Sequence, residues 1–258
     1  MTLAEPDDPS LITDNRYRRI LSFFAGVIAH LVWWDILGGR LPVIRGWVRR
    51  TRPNRLRRQA RHFRSLAIEM GGVLIKLGQF LSARVDVLPP EITDELQDLQ
   101  DEVPPEEPGR ILAVLRAELG NVPAHFACVE TEPLAAASLG QAHRAWLLPR
   151  EAGAQLGDAV VVKVQRPNID NIVRTDLAAL RVVARWTMRY GPIRRRADVP
   201  ALMDEFAHTL WEELDYESEA DNAERFAEMY ADDERVYIPA VYRQHSTERV
   251  IVLENVEA

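Results

Sequence analysis

The chain has 258 residues, of which 47% are hydrophobic and 28% are charged, and its formal net charge is −7. This ordinary globular balance excludes a wholly disordered chain and allows one large domain or two small ones. A single cysteine, Cys128, excludes an intrachain disulfide and fits a reducing compartment. The residues around Cys128 do not suggest a nucleophile or a metal site.

Positive charge is concentrated near the N-terminus. Between residues 16 and 64 the only acidic residue is Asp35. The basic positions of this block are Arg16, Arg18, Arg19, Arg40, Arg45, Arg49, Arg50, Arg52, Arg55, Arg57, Arg58, Arg61 and Arg64. Such a block is typical of a chain that binds an anionic partner, either a membrane surface or nucleic acid, and it is equally typical of a solvated helix face.

The N-terminal region predicts a disordered start and then a helix. Residues 1–15 are polar and contain two prolines, which predicts disorder. Residues 16–38 predict a helix that ends at Gly38-Gly39. No secretory signal is evident, because the first residues are acidic and polar.

The apolar stretch Ile20–Leu37 has about the length that crosses a bilayer. His30 and Asp35 lie inside it, and an ionised residue there is costly in a membrane. Flanking arginines and Trp33-Trp34 suit a helix at the membrane surface. A spanning helix, a surface helix and a packed soluble helix all stay open.

Helices, then strands, then helices, then strands follow in chain order. The predicted helices are 54–84, capped by Asn54, then 91–100, 108–119, 169–190 and one long helix over 200–230. Strands are predicted between 126 and 165, and two short ones within 236–256. This order predicts an α+β fold.

The first candidate site is the small-residue run Ala135, Ala136, Ala137, Ser138 and Gly140. Small residues let a backbone approach a ligand closely, and successive amide N–H groups can form an anion cradle. Because the run holds one glycine, a tight strand–turn–strand without a ligand is the alternative.

The second candidate is Lys163, which lies in the middle of an apolar strand. Such a lysine either extends to the surface or points at an anion. A small-residue loop followed by a strand lysine is the order found in protein-kinase N-lobes.

The third candidate is an acidic group on the predicted long helix. Glu212, Asp215 and Glu219 are spaced by three and four residues, which predicts a common helix face. Like charges on one face repel each other unless nearby cations neutralise them, and the candidate cations are Lys163 and Lys76. A solvated acidic face is the alternative.

The fourth candidate is the sequence Lys76, Gly78, Gln79 in an otherwise apolar helix. A mid-helix glycine lowers helix stability by about 1 kcal/mol against alanine, so it often has a packing reason. Read alone, the segment predicts a surface lysine beside a close helix contact.

Taken together and in this order, the motifs resemble those of the UbiB/AarF family of atypical protein-kinase-like proteins. Lys76-x-Gly78-Gln79 is similar to the family's KxGQ signature, and Ala135 to His143 is similar to its alanine-rich loop. Val162 to Pro167 resembles the strand-lysine motif, and Glu213 to Asn222 resembles the ExD motif and the αC helix. Ala142 stands where the family usually has valine.

The resemblance implies a kinase-like N-lobe, with a small antiparallel sheet and a long αC helix, over 122–258 with an inserted helix. A helical KxGQ extension would occupy 16–121. Lys163 would contact the α- and β-phosphates of ATP or ADP and pair with Glu219, under a loop formed by Ala135 to Gly140. Lys76 and Gln79 would meet Glu213 and Asp215 and gate the substrate site.

The resemblance also implies ATP-dependent support of isoprenoid-quinone biosynthesis at membranes. The expected partners are nucleotide with Mg²⁺, an anionic membrane surface and a lipid or quinone precursor, and nucleic acid is not expected. The expected location is the cytoplasm, at a membrane.

The family's catalytic-loop Asp and Asn and its metal-binding Asp are not found in this sequence, which ends near the expected hinge at Glu254. We therefore expect no metal ligands in this chain, weak or absent nucleotide binding, and no useful ATP hydrolysis by these residues alone. The alternatives are a fragment without activity, a non-catalytic membrane-associated binding module, and a lobe completed by a separate chain.

Overall fold

A computed structural model describes residues 9–38, 40–99, 103–149 and 156–256. By their contacts the described residues fall into two compact units. The first unit lies within Met1–Gln100 and Asp170–His208, and the second within Asp101–Ile169 and Thr209–Ala258. The predicted domain boundaries stay predictions, and the two compact units divide the chain differently from them.

The described part of the first unit is helical. Its helices are α1 (Pro9–Leu31), continued by a π-helix (Val32–Gly38), α2 (Pro42–Met70), α3 (Val73–Ser82), α4 (Pro90–Leu96), α6 (Ile169–Thr187), α7 (Gly191–Arg194) and most of α8 (Val199–Glu213). Helix α1 begins inside the segment predicted to be disordered, and residues 1–8 lie outside the described residues. Gly39, predicted as part of the first helix end, also lies outside them.

The single helix predicted over 54–84 is wrong at its start and in its middle. Helix α2 begins at Pro42, where a missing N–H costs nothing, and it continues through Pro53. Gly71 and Gly72 then separate α2 from α3 with positive φ angles of 63° and 57°. Glycine adopts this left-handed conformation without steric cost, and the regular leucine spacing on both sides hides the break.

A buried ion pair holds the first unit together at that break. The Arg16 guanidinium donates to both carboxylate oxygens of Asp176, each at 2.6 Å. It also donates to the carbonyl oxygens of Met70 and Gly71, at 2.7 and 3.2 Å. Burial raises the pKa of Asp176, and the guanidinium opposes that rise. Arg16 therefore donates hydrogen bonds both to a buried carboxylate and to carbonyl groups that the helix end leaves without an intrahelical partner.

The second unit is built on an antiparallel sheet. Its strands are β1 (Phe126–Val129), β2 (Ala135–Ala136), β3 (Gly140–Leu147), β4 (Ala159–Gln165) and β5 (Val250–Glu254), and its other helices are α5 (Pro108–Leu119) and α9 (Tyr216–Met229). The spatial order is β1-β3-β4-β5, and β2 pairs with β3. Helix α5 ends at Gly120, as the sequence predicts.

The two faces of this sheet pack against different helices. Val160, Val162 and Val164 of β4 are fully buried with Ile111 and Leu115 of α5. On the other face, Ile251 of β5 packs with Tyr216 and Ala220 of α9. Because side chains alternate along a strand, Lys163 points to the α9 face. The second of the two strands predicted within 236–256 forms β5, whereas the first is reduced to an isolated bridge at Val241.

The long helix predicted over 200–230 is wrong, because it is two helices. Helix α8 ends at Glu213, and Asp215 caps α9 by accepting a hydrogen bond from the Ser218 amide at 3.0 Å. An aspartate favours such an N-cap over a helix interior. The predicted common face of Glu212, Asp215 and Glu219 therefore does not exist.

Candidate functional site

Lys163 is fixed in the second unit by the sheet register. It lies opposite Ala142 of β3 on one side and Ile251 of β5 on the other. Both neighbours pair with it through antiparallel strands, so its backbone is held on two sides. Because directly opposed residues share a face of the sheet, the small side chain of Ala142 lies beside Lys163.

The Lys163 ammonium pairs with Glu219 of α9. Its Nζ atom donates to Oε1 at 2.9 Å and to Oε2 at 2.7 Å. Both side chains are 37% exposed. The contact predicted between these two residues is therefore present, and part of each charged group faces solvent. A partly exposed ammonium held in one place on the face of a sheet can meet an anionic ligand.

Tyr216 forms the floor beneath this pair. The Lys163 Nζ lies 4.7 Å from the centre of the Tyr216 ring, which is a cation–π distance. Burial raises the pKa of the Tyr216 hydroxyl, and the nearby Glu219 and Glu213 raise it further. Tyr216 is therefore a neutral support at physiological pH. The sequence analysis did not identify Tyr216 as a support for Lys163, because this residue was only one member of the segment Glu213 to Asn222.

Gly140 is required where the alanine-rich loop meets this floor. A Cβ atom at this position would lie 2.7 Å from the Tyr216 hydroxyl oxygen and 2.7 Å from the Val164 carbonyl oxygen. Real Cβ atoms do not approach other atoms so closely, so a side chain here would displace the loop from Tyr216 and Val164. The structure thus gives the single glycine of the loop a packing reason.

The rest of the loop is held by Arg166, which sequence analysis did not single out. Its guanidinium donates to the Ala137 carbonyl at 3.0 Å and to Glu106 at 2.9 Å. The Ala137 amide donates to the Gly140 carbonyl at 2.8 Å, which closes the turn. Ser138 at its tip is fully buried. These hydrogen bonds therefore hold the loop in one conformation.

A second polar contact network fixes the strand after the loop. The Gln141 side chain accepts from the Glu106 amide at 2.9 Å and donates to His143 Nε2 at 2.7 Å. His143 Nδ1 then donates to the Glu130 carbonyl at 2.8 Å. This pattern requires a neutral His143 with its proton on Nδ1. Gln141 and His143 alternate with Gly140 and Ala142 at the start of β3, and that spacing was the available sequence signal.

The KxGQ residues lie in the first unit, where Gly78 and Gln79 contact Leu99. A Cβ at Gly78 would lie 2.2 Å from Leu99 Cδ1, and Gln79 Nε2 donates to the Leu99 carbonyl at 3.2 Å. Lys76 is half-buried on the same helix. These contacts give the glycine the packing role that its position predicts.

Glu213 and Asp215 lie in the second unit, so their meeting with Lys76 and Gln79 stays a prediction. Glu213 is the exposed last residue of α8, and Asp215 is the N-cap of α9. Hydrogen bonds from Ser218 lower the pKa of Asp215, so it is ionised at neutral pH. Among the residues that the structure describes, no group of three or more His, Cys, Asp or Glu side chains is arranged to hold a metal ion.

Residues 98–258 match the model of the ABC1 atypical kinase-like domain. The chain belongs to this family. This confirms the UbiB/AarF resemblance seen in the sequence motifs and the prediction of a kinase-like α+β fold with a small antiparallel sheet. The paired lysine and glutamate, on the sheet and the helix beside it, lie within the matched part of this ABC1 family member.

Curated relatives carry kinase names. The chain is 37% identical over 227 residues to "Probable protein kinase UbiB" of Pseudomonas putida strain F1, covering 88% of this chain and 40% of that protein. It is 41% identical over 192 residues to "Protein ACTIVITY OF BC1 COMPLEX KINASE 8, chloroplastic" of Arabidopsis thaliana, covering 73% and 24%. The chain thus spans two fifths or less of the length of these relatives.

A solved structure, the complex of Rv3197 with erythromycin from Mycobacterium tuberculosis, is 30% identical to this chain. The match covers 77% of this chain and 48% of that one, with a TM-score of 0.49. At that score the likeness carries no argument about the fold or about ligands.

Proposed function

We propose that this chain supplies the nucleotide-binding part of a UbiB-type atypical kinase or ATPase that supports isoprenoid-quinone biosynthesis at membranes. The observation that carries the proposal is the half-exposed ion pair of Lys163 and Glu219 beside the alanine-rich loop. In kinases a strand lysine fixed by a glutamate holds the α- and β-phosphates.

The contacts of each residue support a distinct proposed role. Lys163 holds the phosphates, Glu219 orients its ammonium, and Gly140 lets the loop lie close to both. Arg166 keeps the Ala137 carbonyl turned into the loop, so the cover keeps one shape. ATP with Mg²⁺ supplies the transferable phosphoryl group when it is bound.

Phosphoryl transfer itself is proposed for the whole protein. The weak nucleotide affinity and absent hydrolysis expected of residues 1–258 alone stay predictions. The catalytic test uses a bacterial strain that lacks its UbiB homologue and is supplied with the whole protein containing this chain. Restored quinone content in extracts, lost in Lys163→Ala and in Glu219→Gln, is the expected result. Equal quinone content with all three proteins would overturn the proposal.

A non-catalytic membrane-binding module is the second candidate function, and an exposed surface of the first unit favours it. Its apolar members are Trp33, Leu37, Leu41, Val43 and Trp47, and its basic members are Arg40, Arg45, Arg49 and Arg50. In the part of the chain that the structure describes, these four arginines have no carboxylate partner. Other arginines of the basic block do, including Arg16 and Arg61. Exposed tryptophans close in sequence to exposed arginines suit an anionic membrane surface.

The apolar helix Asp14–Gly38 adjoins this surface. Asp14–Gly38 is long and apolar enough to cross a membrane by length and composition alone. Asp35 within it pairs with Arg52 and Arg55, at 3.0 and 3.2 Å. Because Asp35 is paired and lies near one end of the helix, it costs less free energy at a membrane surface than an unpaired carboxylate would.

Vesicle sedimentation tests the membrane role. We expect the chain to bind vesicles of phosphatidylglycerol and phosphatidylcholine more than vesicles of phosphatidylcholine alone, and to be released by salt. Val43→Gln, at a side chain that is 93% exposed on this surface, should weaken binding. Val85→Gln, 72% exposed elsewhere, is the matched control and should not. Equal binding by both variants and the unchanged chain would remove this surface from the membrane role.

A further inference from the structure

The first unit contains an apolar cavity of about 340 Å³. Helices α1, α2, α3, α4, α6 and α8 each contribute to its walls, for example through Phe24, Phe63, Leu77, Leu96, Leu180 and Met203. The cavity is partly open to solvent and is lined mainly by apolar side chains, so a ligand can reach it. Its size is at the lower end of the range of about 300–1,000 Å³ typical of ligand pockets.

The polar side chains on the lining are Arg52, Gln59, Thr187, Tyr190 and Arg196. The two arginines carry positive charge, and no lining residue is acidic in the part of the chain that the structure describes. Arg52 forms an ion pair with Asp35, and Asp35 also accepts a hydrogen bond from the Tyr190 hydroxyl at 3.2 Å. Arg196 is exposed and has no carboxylate partner in the described part of the chain. One cation of the lining is therefore left for a ligand.

We infer that this cavity binds a single-chain amphiphile, with its apolar tail among the leucines and phenylalanines and an anionic head at Arg196. An apolar cavity favours an apolar occupant, and an arginine favours a carboxylate or a phosphate. The small volume favours one tail over two. Fatty acids and prenyl phosphates share this chemistry. The inference goes beyond nucleotide binding and does not depend on it.

Displacement of a fluorescent fatty acid tests the tail. The purified 258-residue chain is titrated with cis-parinaric acid below its aggregation concentration, and unlabelled chains then compete. We expect saturable binding of one molecule per chain. Each shortening of a saturated fatty acid by two methylenes should weaken competition by about tenfold once the tail no longer fills the cavity, because each buried methylene contributes about 0.8 kcal/mol.

Longer tails should reach a plateau, since the cavity has a fixed volume. Palmitate and geranylgeranyl phosphate serve as the two arms that distinguish a carboxylate from a prenyl phosphate source, and either one competing supports the inference. Binding that is not saturable, or affinity that rises with chain length without a plateau, would overturn it, since both are the behaviour of a surface that collects lipid.

Neutralising the cation tests the head. Arg196→Gln should weaken palmitate binding by about fivefold, because an exposed charged contact contributes about 1 kcal/mol. Arg195→Gln removes the same charge from an exposed neighbour outside the lining and should leave binding within twofold. Hexadecanol, which has the tail without the charge, should lose the same factor with the unchanged chain and be indifferent to Arg196→Gln. Equal effects of the two substitutions would overturn the assigned head position.

Filling the cavity tests its location. Ala184 lines it and is almost fully buried. Ala184→Phe should abolish binding while the helical circular dichroism is kept. A folded Ala184→Phe variant that binds palmitate as the unchanged chain does would overturn the inference. If that variant does not fold, Arg196→Gln and the chain-length plateau decide the matter. Lys163→Ala should leave lipid binding unchanged, which separates failure here from failure of the nucleotide site.

Discussion

Two ion pairs of nearly the same length stand in the two units and have opposite surroundings. Arg16 and Asp176 in the helical unit meet at 2.6 Å, with 12% and 0% of their side chains exposed. Lys163 and Glu219 in the sheet unit meet at 2.7 Å, and each is 37% exposed. The short distance is common to both, so distance alone does not tell a structural pair from a ligand site. Exposure does.

The largest effect is expected from breaking the buried pair. Arg16→Ala should lower the free energy of unfolding by about 3–5 kcal/mol, because it leaves the Asp176 carboxylate buried without its partner. The loss should be greater at pH 8 than at pH 5, since the stranded carboxyl is neutral only when protons are available. Urea unfolding followed by circular dichroism measures it. Arg18→Ala, at an exposed neighbour, should change stability little, and equal losses from both would contradict the buried-pair account.

The next effect separates two glycines of the sheet unit. Gly140→Ala should destabilise the chain by about 1–3 kcal/mol, because the new methyl group overlaps Tyr216 and the Val164 carbonyl. Gly109→Ala in α5 meets no atom within 4 Å and should be neutral or stabilise by up to about 1 kcal/mol. Thermal unfolding of both variants checks the difference. Stabilisation by Gly140→Ala would mean that the loop does not lie against Tyr216.

A smaller effect is expected when the exposed pair is broken. Lys163→Ala should lower stability by no more than about 1 kcal/mol, because solvent already screens this pair. The same urea unfolding measures it beside Arg16→Ala. A loss as large as that of Arg16→Ala would show that the pair holds the fold, and the contrast between the two units would fail.

The smallest effect is expected on the pH dependence of stability, through the contact between His125 and His245. His125 Nδ1 and His245 Nδ1 lie 2.9 Å apart, so one must donate and the other must accept. Burial, and then His125, lower the pKa of His245. The fold therefore favours neutral His245. The stability that this preference provides is complete above the unfolded pKa of about 6.5 and is lost as the pH falls from there through the lower folded pKa. His245→Phe should reduce the loss of stability between pH 7 and pH 5, and an unchanged pH profile would contradict the prediction.

Much of the sheet unit could be predicted from local sequence. The lysine of β4, the glycine of the loop and the glutamate of α9 belong to motifs that are readable as short segments, and the structure brings Lys163 and Glu219 together as expected. Helix α5, with Gly120 after it, follows the ordinary rule for a helix end. These features depend on neighbours in the chain or on a family pattern.

The missed features depend on residues far apart in the chain. Arg166 contacts Glu106 across 60 positions, and Arg16 contacts Asp176 across 160. Nothing within one helix or strand marks these contacts. The apolar spacing of the helices predicts buried faces, but it does not distinguish a filled core from a cavity. The break at Asp215 was missed because α8 and α9 both continue an amphipathic pattern.

Labelling of lysines by an acyl-phosphate derivative of ATP tests the nucleotide site most directly. The reagent transfers its acyl group to an amine beside the phosphates, and Lys76 and Lys163 are the only lysines of the chain. In the whole protein that contains this chain, peptide mass spectrometry should find Lys163 acylated, excess ATP should protect it, and Lys163→Arg should remove the modified peptide. Absence of the label on Lys163, or labelling that excess ATP does not reduce, would contradict the claim that Lys163 holds nucleotide phosphates.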